Sequence, residues 1–423
     1  MMTYEQALNY IHGVSNFFCK PGLDRIKELC AGLNNPEKSL KFIHVGGTNG
    51  KGSVCAMLSS VLSCAGFKVG LYTSPYVREF NERMRINGEN IPNDTLARIT
   101  ERVKKVAEKM ADSPTEFELI TAIALEYFKE EGCQVVIWEV GMGGRLDATN
   151  VIDTPLLSII TGVDIDHTAF LGDTIEKISY EKAGIIKSGV PILFGGESSV
   201  AEAVIAAEAE KKQTILCKTD YSKLKIHLSD LSGTTFDYRS RKGVKVSLLG
   251  SYQPKNASVV LDALDNLSST GLKVSEENIR EGLLSARWQA RFEIINKNPL
   301  VIFDGAHNPQ GISAAVESIK TYFPNERVVI ISGVLRDKDY NTIAKSISEV
   351  AEEVYSITPD NPRALSAEDY AEVYRSLKIK ATPCKSIAEA LAHAIDCAKK
   401  NSTAVCCLGS LYTYCEVMAE LNK

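Results

Sequence analysis

The stretch Val45-Gly46-Gly47-Thr48-Asn49-Gly50-Lys51-Gly52-Ser53 constrains this chain more than any other. Lys41-Phe42-Ile43-His44 before it suits a buried strand, and Val54 to Cys64 after it carries Met57, Leu58, Val61 and Leu62 at helical spacing. Strand, glycine-rich turn, lysine, hydroxyl and helix is an order that cradles a nucleoside triphosphate. Glycines let backbone N–H groups approach the phosphates, and the helix N-terminus adds positive potential. Lys51 is placed to reach the β/γ-phosphates and Ser53 to hold magnesium. The match to the common phosphate-loop pattern is imperfect, because Gly52 stands between the lysine and the hydroxyl. A glycine-rich turn without a ligand stays open as the alternative.

At 423 residues the chain exceeds the ~250–300 that one core usually organises, so two domains are expected. The net charge of −5 speaks against general nucleic-acid affinity. No apolar run approaches the ~18 residues of a membrane span, and the N-terminus shows no basic and apolar leader. The eleven cysteines are scattered without a C-x-x-C pair, which reads as reduced thiols in a cytoplasmic protein.

Short helices are predicted at 4–12 and 23–33, broken by Lys20-Pro21-Gly22. Phe67 to Tyr72 reads as a strand ending in Thr73-Ser74-Pro75-Tyr76, and Arg78, Glu82, Arg83 and Arg85 follow in a polar stretch read as a mobile loop. Helices at 93–110 and 116–131 precede a buried-type strand, Gln134 to Gly141, that carries Glu139 at its end. A carboxylate there is costly to bury without a partner. Gly141-Met142-Gly143-Gly144-Arg145-Leu146-Asp147 is a second glycine-rich loop. Leu156 to Ile160 is another strand, running into Asp164-Ile165-Asp166-His167. Tyr180 to Lys187 reads as a helix, Val190 to Phe194 as a strand, and 214–248 as short alternating runs punctuated by Lys242-Gly243. Helices at about 254–268 and 275–286 follow.

The break at Lys297-Asn298-Pro299 marks a boundary, giving domains 1–295 and 296–423. Beyond it, strands at about 300–304, 327–332, 353–357 and 403–407 alternate with helices. The fold class expected is α/β: a phosphate-loop domain on a mostly parallel sheet, with a smaller C-terminal α/β domain.

Ser53 and Lys51, Ser74, Glu139 and His167 all fall at strand ends, where open α/β sheets bind ligands. Together they form a candidate Mg²⁺–nucleotide site, although an imidazole is an unusual ligand for so hard an ion. His167 taken alone reads as a hydrogen-bonded histidine or a general base rather than a metal ligand. In Val301 to Pro309, Asp304 closes a strand and is either a helix cap or a group facing nucleotide.

Gly47 to Ser53, the stretch Glu139 to Asn150, Asp166-His167, Glu181-Lys182-Ala183-Gly184 and Asp304 to Pro309 together resemble folylpolyglutamate synthase and its close relative dihydrofolate synthase, within the Mur ligase superfamily. The resemblance runs in order over nearly the whole chain, and the extra Gly52 is the form this family uses. It implies an ATP-dependent amide ligase that takes a reduced folate, L-glutamate and ATP and works as a monomer, with magnesium, two ions, as cofactor. It implies Ser53, Ser74, Glu139 and His167 as metal ligands. Lys182 matches a lysine that CO₂ converts to a carbamate ligand. Asn49, Gly50, Lys51, Gly52, Ser53, Asn256, Arg291 and Asp304 match nucleotide-contacting positions. Gly22, Leu23, Asp24, Arg25, Phe117, Leu146 and Asp147 fall where a pterin is held. Lys51, Lys182 and His307 are the catalytic candidates, with His307 orienting or polarising rather than acting as base.

The chemistry implied is transfer of the γ-phosphoryl group to a carboxylate, then displacement of phosphate by the amine of glutamate. Dihydropteroate as a further acceptor stays open. A Mur-type ligase acting on a cell-wall precursor is the alternative enzyme. A GTPase-like switch would need Asn-Lys-x-Asp, and Asn296-Lys297-Asn298-Pro299 lacks the aspartate.

Overall fold

The computed structural model describes residues 2–14 and 22–422. Lys20 and Pro21, part of the break expected after the first helix, lie outside the described residues. The chain forms two compact units, Met1–Ser222 with Asn256–Ala286, and Lys223–Lys255 with Arg287–Lys423.

The first unit carries strands β1 (Phe42–Gly46), β2 (Val69–Tyr72), β3 (Met84–Ile86), β4 (Glu89–Asn90), β5 (Val135–Glu139), β6 (Leu157–Ile160), β7 (Ile192–Phe194) and β8 (Leu216–Lys218). They form one sheet in the order β4-β3-β2-β5-β1-β6-β7-β8. All neighbours are parallel except the edge formed by β3 and β4. β1, β5 and β6 are buried along their whole length, as expected of parallel strands covered on both faces. One core gathers Phe42, Tyr72, Trp138 and Phe128 with helices Tyr4–His12, Asp24–Gly32, Asn93–Ala107 and Glu116–Glu130. Another gathers Ile160, Ile178, Phe194 and Ile205 with helices Ile175–Ala183 and Ser199–Lys211. Among the described residues no helix is long and apolar enough to cross a membrane.

The second unit holds an antiparallel sheet of β9 (Leu224–Asp230), β10 (Gly233–Tyr238) and β11 (Arg241–Val246). It also holds β12 (Glu293–Lys297), β13 (Leu300–Phe303), β14 (Val328–Ser332), β15 (Ala351–Ser356), β16 (Ala381–Pro383) and β17 (Val405–Leu408), in the order β12-β13-β17-β14-β15-β16. Only β12 is antiparallel there.

The compact units interleave in sequence: 223–255 group with the C-terminal residues, and β12 pairs with β13. The reason is tertiary: Ser251 N–H donates to Ser318 Oγ at 2.9 Å and Gly250 N–H to the Tyr322 hydroxyl at 2.9 Å. Lys242-Gly243 lies inside β11, and the turn falls at Arg239, which takes φ 51°. The helix expected through Lys187 ends at Ala183 with Gly184 as its C-cap, a position where a Cβ would lie 2.3 Å from the Arg145 Cα. The stretch 78–85 is not a mobile loop. Phe80–Arg83 forms a 3₁₀ turn leading into β3, and buried Glu82 accepts from the N–H groups of Val77 and Arg78.

His44 sits in β1, fully buried, with Nε2 3.1 Å from the Thr149 hydroxyl. Thr149 in turn donates to Asp147, so Nε2 carries the proton and donates. Burial, helped by the Lys187 charge, pushes the imidazole down to about 3. A free imidazole titrates near ~6.5, so below that pH the unfolded chain binds a proton that the native state refuses. Stability therefore falls as pH drops from about 6.5 toward 3. Urea unfolding should lose about 2 kcal/mol between pH 7 and pH 5 from this group. His44→Asn should flatten that part of the slope, and an identical slope in the variant would refute the assignment.

Candidate active site

The glycine-rich loop joins β1 to helix Lys51–Cys64. Two of its glycines are required by geometry. Gly47 takes φ +145° where a Cβ would lie 2.0 Å from Thr161 Oγ1, and Gly50, the helix N-cap, takes φ +85° where a Cβ would meet Asn256 Oδ1 at 2.8 Å. Thr161, at the end of β6, donates its hydroxyl to the carbonyl of Asn49 at 2.6 Å. The neighbouring strand thus fixes the loop from the side. Asn49 itself is exposed, while Gly50, Lys51 and Gly52 are half-buried and Ser53 is buried on the first turn of the helix.

Two ammonium groups converge on one carbonyl. Lys51 Nζ donates to the carbonyls of Gly47 and Thr48 at 3.0 and 3.1 Å, and Lys182 Nζ donates to that of Gly47 at 3.0 Å. Lys182 is 3% exposed. Burial first, and then the Lys51 charge, pull it down to about 7, with Asp166 and Asp147 opposing. A cavity bounded by Gly47, Thr48, Lys51, Gly141, Met142, Gly143, Asp166, His167 and Lys182 opens at this point. It unites the phosphate loop, the second glycine-rich loop and the segment after β6.

Glu139, 3% exposed at the end of β5, accepts from Ser74 N–H at 3.0 Å. The structure thereby brings together Ser74 and Glu139, which sequence placed only at separate strand ends. His167 is exposed, takes φ 51°, and precedes the short helix Thr168–Leu171. Its N–H donates to Asp166 Oδ1 at 2.8 Å. Among the described residues no three His, Cys, Asp or Glu side chains gather as a metal cluster.

The expected pterin positions divide. Phe117 and Asp147 meet at Gly141, where a Cβ would lie 2.4 Å from Phe117 Cζ and 3.0 Å from Asp147 Oδ2. Asp147 is buried, which raises its pKa, and it accepts from the N–H groups of Met142 and Thr149. Leu146 stands exposed beside it. Gly22 has open space around it, and Leu23 and Asp24 start helix Asp24–Gly32. Arg25 is already engaged: it is buried, with Nε 3.0 Å from Glu118 Oε2 and Nη1 3.3 Å from Asp112.

In the second unit Asp304 is 2% exposed and holds three donors: the Tyr252 hydroxyl at 2.9 Å, Phe292 N–H at 2.9 Å and Ala306 N–H at 2.8 Å. Burial raises its pKa and the Arg291 charge opposes this. Asp304 is not a helix cap. Asn308 caps helix Pro309–Tyr322 by accepting from Gly311 N–H. Arg291 Nη1 donates to the Ala290 carbonyl, and His307 Nδ1 lies 2.8 Å from the Gly305 carbonyl, so Nδ1 carries the proton. Sequence reasoning gave no role to Thr161, Asp166 or Tyr252. Tyr252 had a local signal, since it lies four residues before Asn256.

The Mur ligase middle domain model matches residues 45–264, and the model of the Mur ligase glutamate ligase domain matches residues 290–411. Dihydrofolate synthase/folylpolyglutamate synthase of Bacillus subtilis is 36% identical over 99% of this chain and 99% of its own length. The chain belongs to the folylpolyglutamate synthase/dihydrofolate synthase family. It is an ATP-dependent ligase with the two-domain α/β fold of Mur ligases. Folylpolyglutamate synthase of Lacticaseibacillus casei is 37% identical over 88% of this chain and 90% of its own. An Escherichia coli member of the family, solved in complex with DHPP and ADP, matches with a TM-score of 0.86 at 31% identity, over 99% of this chain and 98% of that one. Membership of this family also removes the GTPase-like reading.

Proposed function

We propose that this chain adds L-glutamate to the carboxylate of a reduced folate, converting ATP to ADP and phosphate. The observation that carries the reading is the convergence of Lys51 and Lys182 on the Gly47 carbonyl, at the N-terminus of helix Lys51–Cys64. The Lys51 cation at a helix N-terminus suits a polyphosphate, and the buried Lys182 beside it is held close to the same loop. A carboxylate is a poor acyl donor because oxide would have to leave. Its oxygen attacks the γ-phosphorus, ADP departs, and an acyl phosphate forms. The amine nitrogen of glutamate then attacks the acyl carbon, loses a proton, and phosphate leaves. Lys51 neutralises charge that grows on the transferring group.

Magnesium fits the donor set around Glu139. A buried carboxylate bonded to the Ser74 N–H offers hard oxygen ligands of the kind the ion takes with retained waters. Ser53, Ser74, Glu139 and His167 would hold it, with Lys182 as its carbamate, and it would screen the phosphate charges. Asn256, which abuts Gly50, belongs to the nucleotide-facing set. Phe117, Leu146 and Asp147 form the better-supported part of the pterin site, while Arg25, with Gly22 to Asp24, supports its base through Glu118. His307, its ring fixed on the Gly305 carbonyl, is the remaining catalytic candidate. The enzyme acts as a monomer in the cytoplasm.

Dihydropteroate is a second acceptor under this proposal, since the Bacillus subtilis relative carries both activities in its name. The test is release of ADP and phosphate with each acceptor. Product should form only when acceptor and glutamate are both present. Turnover without glutamate, or release of AMP and pyrophosphate, would refute the reading.

A further inference from the structure

The segment between β2 and β3 holds an arginine that the mechanism above does not use. Arg83 is half-buried, and its Nε and Nη1 are shielded from solvent with no hydrogen-bond partner among the described residues. Its guanidinium lies 5.2 Å from the ring centre of Tyr76 and 5.8 Å from that of Phe80. The nearest acidic residues in sequence are turned elsewhere. Glu82 accepts from the Val77 and Arg78 N–H groups and lies 3.8 Å from Arg85, while Glu79 accepts from Asn90 at 2.7 Å. A guanidinium stripped of water and left without an acceptor is unfavourable, and a planar anion would satisfy it with two parallel hydrogen bonds.

Its surroundings identify the anion. The Arg83 carbonyl accepts from Thr73 N–H at 3.1 Å, next to Ser74 and its bond to Glu139. Tyr72 pairs with Met84 across the β2–β3 ladder, and its ring centre lies 6.2 Å from that of Phe117, which abuts Gly141. Burial raises the Tyr72 hydroxyl and the Arg83 charge draws it back, so the guanidinium acts on this aromatic wall. The Arg83 backbone thus adjoins the segment of Ser74, while its guanidinium faces Tyr76 and Phe80 and acts on Tyr72, whose ring meets Phe117 of the expected acceptor site.

We propose that Arg83 binds the non-reacting carboxylate of a glutamate-bearing acceptor, which makes it the residue that distinguishes folates from pteroates. The proposal rests on the function given above. Tetrahydrofolate carries two carboxylates on its glutamate, one activated and one that keeps its charge. Dihydropteroate has only the reacting one. Arg83 therefore adds affinity for the first acceptor alone.

The experiment compares wild type with Arg83→Gln and Arg83→Lys, using both acceptors at saturating ATP and glutamate. Arg83→Gln should raise KM for tetrahydrofolate about 10–100-fold, the usual cost of losing a charge-assisted pair. KM for dihydropteroate and for ATP should stay within about twofold of wild type, and Arg83→Lys should recover part of the loss. Equilibrium binding of folic acid and pteroic acid should show the same split. An equal shift for both acceptors, or none for either, overturns the assignment. Absence of wild-type turnover with either acceptor overturns the functional reading and the assignment together, whereas wild-type turnover with an unshifted Arg83→Gln overturns the assignment alone.

Discussion

Lys51→Ala is expected to lower kcat by about 10³-fold, the range found when a donor to a transferring phosphoryl group or an oxyanion is removed. The loss should fall mainly on kcat, because the charge that Lys51 meets is greatest in the transition state. Stability should change little. The side chain is half-buried, its hydrogen bonds go to the carbonyls of Gly47 and Thr48 in its own loop, and Gly47 keeps the bond from Lys182. Loop shape rests on Gly47, Gly50 and Thr161, none of which the substitution touches. Lys51→Arg should rescue poorly, since a planar fork replaces a compact point charge in a space set by two carbonyls. Single-turnover measurement of ADP release, with thermal unfolding as the control for fold, checks this. Wild-type turnover in Lys51→Ala would remove the loop from the chemistry.

What was legible in the sequence was local. The glycine, lysine and hydroxyl spacing of the loop, the strand-end positions of Ser74 and Glu139, and the alternation of strands with helices all depend on neighbours in the chain. What was not legible depends on pairing across distance. Asp304 reads as either a helix cap or a group facing nucleotide until Tyr252, fifty-two residues upstream, is seen donating to it while Asn308 supplies the cap. The stretch from Arg78 to Arg85 reads as mobile because it is charged. Its order comes from Glu82 folding back onto two N–H groups, and its function under our proposal comes from an arginine whose Nε and Nη1 have no hydrogen-bond partner among the described residues. Residues 223–255 read as part of the first domain because they follow it, yet contacts such as Ser251 with Ser318 tie them to the second unit. The line from His44 through Thr149 to Asp147 joins β1 to the second glycine-rich loop, and no periodicity announces it.

Lys182→Ala is expected to cost about 10²-fold or more in kcat, comparable to loss of one preorganised group at a developing charge. As an ammonium Lys182 lies close to Lys51 and is buried, and both features push it toward the neutral amine at about pH 7. A neutral amine is the form that adds CO₂ through its nitrogen lone pair, releasing a proton and leaving a carbamate anion. That exchange replaces repulsion between two lysines with attraction and, under the proposal above, would supply a hard oxygen ligand for magnesium. The pH consequence has a definite sign. The folded-state value lies below that of a free lysine, so the reactive amine is present above about pH 7 and is lost as pH falls through it. At fixed dissolved CO₂, wild-type kcat should therefore rise with pH through about 7, and stripping CO₂ should depress it most on the acid side. Lys182→Ala should lose both the inflection and the CO₂ dependence, and a small carboxylate such as acetate should restore part of its activity by occupying the vacated space. If wild-type turnover ignores CO₂ and Lys182→Ala keeps full activity, the lysine has no part in the chemistry. If the variant is inactive but wild type ignores CO₂, Lys182 acts as an amine or ammonium, and the charge at the phosphate loop stays cationic throughout the reaction.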